Sequence, residues 1–196
     1  MKKLLALLFA FVVFFATTNL FAAEPQTKQD SKALFFGLNG LSNLGIDDGY
    51  LGLQYLFQDD MGVWGSLGFN TKTYKPYENA DEDSYTNLEF GVGLIYYAFQ
   101  KGSVAAWVSP ELGIGIGSAD TKSTKITDNS FWAGVSLGAE WWAFDGVSLS
   151  ASVFLGYENL TTTTEAKSVP NSEIKSKENT FGILPGQGKF QILFYF

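Results

Sequence analysis

Hydrophobic residues recur at every second position through most of the chain. In SYTNLEFGVGLIYYAF one parity carries Leu88, Phe90, Val92, Leu94 and Tyr96, and the other carries Asn87, Glu89, Gly91 and Gly93. In SVAAWVSPELGIGIGS one parity carries Val104, Ala106, Val108, Leu112, Ile114 and Ile116, and the other Trp107, Ser109, Glu111, Gly113, Gly115 and Gly117. A period of two predicts strands with one apolar face and one small or polar face. Eight such runs cover residues 32–43, 50–58, 62–73, 85–99, 103–118, 130–144, 147–160 and 181–196. Their links alternate between short (QDDM, QKG, DG) and long (SNLGIDDG, YKPYENADED, ADTKSTKITDN, TTTTEAKSVPNSEIKSKENT). Short turns at one end and long loops at the other predict an all-β, eight-stranded antiparallel up-and-down barrel, whose closure leaves no sheet edge.

Parity also sets expectations for the turns. A three-residue loop at the DG turn, with Gly146 left-handed, keeps Ala143 and Val147 on the outer face. Counting across QKG places Glu111 opposite Gly91. That makes Glu89 and Glu111 diagonal neighbours, roughly 7–8 Å apart.

Charge decides which solvent the outer face meets. Within the runs only Lys32, Lys72, Glu89, Glu111, Glu140, Glu158 and Lys189 are charged. A soluble barrel would carry many Lys and Glu outside. Here the non-apolar face is Gly and Ser, which suits a crowded interior, and the apolar face points outward. Runs of nine to sixteen residues suffice for a bilayer core, which takes about 9–11 tilted residues. Closed barrels satisfy their backbone groups in lipid. Outward Phe57, Tyr96 and Trp141 near the short turns, and Phe131 and Tyr157 near the long loops, are expected at the membrane interfaces.

The amino terminus reads as a secretory signal over residues 1–23. Lys2 and Lys3 precede the apolar LLALLFAFVVFFA, and TTNLFAA leads to a cut after Ala22 or Ala23. The competing reading is an uncleaved anchor. Residues 24–31 form a polar leader and 32–196 the barrel domain. Removing Lys2 and Lys3 takes the net charge from −7 to −9, a poor match for nucleic acid.

The chain ends on GKFQILFYF, with Phe190, Ile192, Phe194 and Phe196 on one parity. This ending resembles the last strand of bacterial outer-membrane β-barrels. With the signal segment, eight runs and alternating loop lengths, the whole mature chain resembles the small eight-stranded barrels of the outer membrane protein X type and the related outer membrane protein β-barrel domain family. The resemblance implies the outer membrane of a Gram-negative cell, with both chain ends in the periplasm. It implies lipid and the barrel assembly machinery as partners, the latter reading the terminal strand as an assembly signal. A monomer without cofactor is expected. One departure is Pro185, which cannot donate to a ladder, so the last strand is expected to start late or bulge.

Candidate chemistry is sparse. The chain has no Cys and no His, which removes thiol chemistry and the commonest general base and metal ligand. Outer-membrane barrel enzymes of known families rely on His, so this chain reads as non-enzymatic. Inward Glu89, Glu111, Glu140 and Glu158 with Lys72 and Lys189 predict an interior ion-pair network, the alternative being a cation-preferring constriction. Inward Trp64, Trp107, Trp132 and Trp142 fill the lumen or line a groove for an apolar solute. The acidic ENADEDSY reads as a solvated loop, since its spacing matches no calcium loop. Two functions stay open: a structural or surface-interaction barrel, and a small cation-preferring pore or uptake barrel for small or apolar solutes.

Overall fold

A computed structural model describes residues 23–39, 49–74, 83–121, 123–167, 173–183 and 188–196. Residues 1–22 of the expected signal segment, and Glu78, Asp81 and Glu82 of the acidic loop, lie outside them. The strands are β1 (Lys32–Asn39), β2 (Gly49–Gln58), β3 (Met61–Tyr74), β4 (Asp83–Lys101), β5 (Val104–Asp120), β6 (Thr124–Phe144), β7 (Val147–Ala166), β8 (Glu173–Ile183) and β9 (Lys189–Tyr195). Each of β1 to β7 pairs antiparallel with the next, and β9 pairs with both β7 and β1, closing the ring.

The eighth stave of this barrel is split. β8 pairs with the Leu155–Glu165 stretch of β7, and β9 with Val147–Ser152. Ile183 faces Leu155 and Lys189 faces Ser152, so six steps along the last stave span only three along β7. The odd slip inverts parity. Phe181 points outward on β8, whereas Phe190, Ile192 and Phe194 point outward on β9. This corrects the expectation of one continuous strand over 181–196. The late start or bulge expected at Pro185 falls on residues 184–187, which lie outside the described residues. β8 and the upper part of β7, including Thr161 to Thr164, also correct the reading of this region as a long loop. Thr favours strands, but a run with no apolar alternation gives no period-two signal.

The short turns share one device. Gln58–Met61, Lys101–Val104 and Phe144–Val147 pair across two-residue loops, and each loop holds a positive-φ residue: Asp60, Gly102 and Gly146. The extra residue is absorbed as a bulge in the preceding strand, at Phe57, Ala98 and Ala143. The DG loop therefore has two residues rather than three, and Ala143 is buried while Phe144 is exposed. In the second hairpin the same device places Glu111 opposite Gly93 and Glu89 opposite Gly115. The two carboxylates are thus not diagonal neighbours.

Outside, the barrel exposes large apolar side chains over its circumference, among them Leu53, Phe69, Phe90, Ile114, Leu137 and Val153. Inside, aromatic rings are matched to glycines directly across the ladder. Phe35 faces Gly52, Tyr50 faces Gly37, Trp64 faces Gly93, Trp107 faces Gly138 and Trp132 faces Gly113. In each pair the ring occupies the space that a Cβ on the glycine would need. This lets bulky rings lie against the wall of a narrow barrel, the geometry of aromatic rescue.

Candidate functional site

The lumen has two zones. Near the short turns it is packed solid. Leu56, Ile95, Tyr97, Trp107 and Trp142 form a buried cluster, with Ala23 and Tyr195 packed against it. At its centre is Glu140 on β6, 1% exposed. The Tyr97 hydroxyl on β4 donates to it at 2.6 Å, the Tyr195 hydroxyl on β9 donates at 2.7 Å, and the Ser148 hydroxyl on β7 donates as well. Gln54 on β2 donates to Tyr97 at 3.0 Å. One carboxyl thus ties four strands together across the lumen, and Gln54 adds β2 through Tyr97. Donors directed at both carboxyl oxygens meet the requirement that a buried acid be hydrogen-bonded. Among the described residues no Lys pairs with Glu140.

Above the plug lies a cavity of about 50 Å³, bordered by Trp64, Trp107, Trp132, Tyr50, Glu111 and Lys189. It is well short of the roughly 300–1,000 Å³ of a typical ligand pocket. Lys189 at the start of β9 donates to Glu111 in a partly buried ion pair. Its ammonium also stands 5.1 Å from the Trp64 ring centre, within cation–π range. Trp64 Nε1 donates to Ser109 Oγ at 2.8 Å, fixing the ring. Toward the long-loop end the inner wall turns acidic: Glu158 lies within electrostatic reach of Glu89 and Glu178. Asn87 donates to Glu89 at 2.9 Å.

The expected lumen charges therefore separate by depth. Glu140 belongs to the plug, Glu111 and Lys189 to the middle, and Glu89 and Glu158 to the outer mouth. Lys72 sits on β3, with its side chain outside the described residues. Sequence reasoning missed Tyr97, Tyr195 and Glu178. The tyrosines carried no charge to mark them, and Glu178 sat in a presumed loop. Phe190 and half-exposed Ile192 and Phe194 face outward, and Phe196 is 77% exposed. The Phe196 amide donates to the Lys32 carbonyl at 3.0 Å, joining the chain end to the first strand. Phe57, Tyr96, Phe131 and Tyr157 are exposed on the outer face, and Trp141 is half-buried there.

No protein-family model matches the chain, and no curated protein does. Among solved structures, it is similar to the N-terminal β-barrel domain of OprF from Pseudomonas aeruginosa, with 14% identity over 86% of this chain and 98% of that one and a TM-score of 0.47. It is also similar to a major outer membrane protein from Thermus thermophilus, with 14% identity over 85% and 98% and a TM-score of 0.48. At that level of likeness the reading of this chain rests on its own residues. Those residues make a barrel that is apolar outside and polar and packed inside, the reverse of a water-soluble protein and the arrangement that lipid requires.

Proposed function

We propose that this chain is a non-enzymatic integral outer-membrane β-barrel that acts at the cell surface and does not conduct solutes. The observation that supports this most directly is the plug. Glu140, its three hydroxyl donors and the buried rings of Tyr97 and Trp142 fill the lumen at the short-turn end. The surface role is carried by strands longer than a membrane needs. β6 has 21 residues and β7 has 20. At about 3.3 Å per residue and a tilt of about 40°, they reach about 50 Å, against an apolar band of roughly 25 Å. About half of this hairpin therefore stands clear of lipid. Its outer face changes composition on the way, from Phe131 and Tyr157 to Asn129, Thr161 and Thr163. The non-enzymatic reading rests on the absence of His from the sequence.

The acidic outer mouth favours the second reading, a small cation-preferring pore, because carboxylates in a confined path repel anions. Planar-bilayer recording of the purified full-length barrel separates the two. The surface reading expects no steady channel-like steps. Reproducible cation-selective steps would move the assignment to the pore, and a large anion-selective conductance would refute both.

A further inference from the structure

The nine residues before β1 are bound across the mouth of the barrel. The Asp30 amide donates to the Leu56 carbonyl at 2.8 Å, and the Tyr55 hydroxyl donates to Asp30 at 2.9 Å. The Gln29 amide donates to Asp59 at 2.8 Å in the first short turn. Thr27 is 5% exposed; its carbonyl accepts from the Asp60 amide at 2.7 Å, and its hydroxyl accepts from Gln100 beside the second turn. At the far end the Ala23 nitrogen donates to the Trp142 carbonyl at 3.3 Å, next to the third turn, and Ala23 packs on the plug. The segment is a strap that touches all three short hairpins in order. It ends on the one strand that carries the buried Glu140.

We propose that a signal peptidase cuts between Ala22 and Ala23, and that the α-ammonium so created is a built part of the plug. Hydrolysis of that amide adds the hydroxyl of water to the Ala22 carbonyl and leaves the amine, with its added proton, on Ala23. Three features select this bond. A cut one residue later would remove the residue that seats the strap and would begin the chain at exposed Glu24. A cut after Ala22 places Leu20 at the third position upstream, whereas a cut after Ala23 places the bulkier Phe21 there, and peptidase sites favour small residues. The new charge also suits its surroundings. This rim carries Glu24, Asp30, Asp59, Asp60 and Asp145 against Lys28, Lys32 and Lys101, and Glu140 lies two residues along the strand from the accepting carbonyl without a Lys partner among the described residues. A charged donor strengthens the bond to Trp142, because charge-assisted hydrogen bonds are the stronger kind. The inference rests on the sealed-plug reading for its purpose, yet its test does not use conductance.

Two measurements on the full chain expressed in a Gram-negative host decide it. The intact mass of protein from the outer-membrane fraction should correspond to a chain beginning at Ala23. A mass beginning at Glu24 or later, or one retaining residues 1–22, overturns the proposal. The second measurement is the acylation rate of the α-amine at neutral pH, with the site read by peptide mass. In the wild type it should be at least tenfold slower than in T27A/Q29P/D30P, which removes the Gln29 and Asp30 amide donors and the Tyr55–Asp30 and Gln100–Thr27 bonds while leaving every strand residue unchanged. Equal rates would mean that the terminus is free, and would overturn its role in the plug even if the cut is placed correctly.

Discussion

Adding one methyl group at Gly93 tests the match between rings and glycines. A Cβ there would lie 2.7 Å from Cε2 and Nε1 of Trp64 and 2.8 Å from Cζ2, where ordinary contacts are 3.4–4 Å. The ring would have to retreat by roughly 1 Å to reach van der Waals distance. It has no easy direction. Trp64 Nε1 is held by Ser109, the Phe35 ring stands edge-on at 6.4 Å between centroids, and the Lys189 ammonium stands over its ring. Overpacking of this kind costs about 1–3 kcal/mol, and a lost Trp64–Ser109 bond adds about 1 kcal/mol. Gly65 is the control. It lies on the neighbouring strand β3, beside Trp64, with its Cβ direction outward, and the nearest atoms to an added Cβ are at 3.9 and 4.0 Å. Ala in place of a strand glycine gains about 0.5–1 kcal/mol when nothing clashes. G93A should therefore be less stable than G65A by about 2–4 kcal/mol. The assay is equilibrium urea unfolding of protein refolded into lipid vesicles, read by Trp fluorescence and by the ratio of folded to unfolded bands on unheated gels. A difference below about 1 kcal/mol, or one of opposite sign, would refute the argument, since that is the lower edge of the overpacking cost.

Removing one member of the Glu111–Lys189 pair should cost more than removing both. E111Q leaves a partly buried ammonium without its carboxylate and should lower vesicle-unfolding stability by about 3 kcal/mol, whereas E111L/K189M should recover most of that loss; equal losses would show that the pair contributes only volume. Deleting Phe196 should reduce outer-membrane levels several-fold while purified protein refolded in vitro stays within about 1 kcal/mol of wild type, the scale of one net hydrogen bond. Unchanged levels in cells would remove the terminal residue from assembly.

How much of this was legible beforehand depends on what each feature leaves in the amino-acid order. Strand identity and face came through wherever one side met lipid and the other the lumen, because that contrast writes a period of two, as in Leu88–Tyr96. The signal failed where both faces leave lipid. Thr161–Thr164 and Glu173–Thr180 are paired strands with no apolar alternation, so they read as loop. Register failed by small steps at the short turns, where the bulges at Phe57, Ala98 and Ala143 absorb one residue each. That step separates Glu89 from Glu111, whose partner is Lys189 across the lumen.

The ring–glycine pairs show why an inward list of residues could not by itself describe the lumen. Trp64, Trp107 and Trp132, with many glycines, were all visible on the inner parity. Whether they plug the barrel or line a groove turns on which glycine each ring meets, and that is a property of register. With Trp64 on Gly93, Trp107 on Gly138 and Trp132 on Gly113, the rings lie along the wall and leave the middle to Glu111 and Lys189. A shift of one residue in any of these ladders would replace glycine by an outward-facing neighbour and turn the ring into lipid. The same pairing that narrows the cavity to about 50 Å³ therefore also holds the register. In this barrel the packing of the interior and the pairing of the strands depend on the same five contacts.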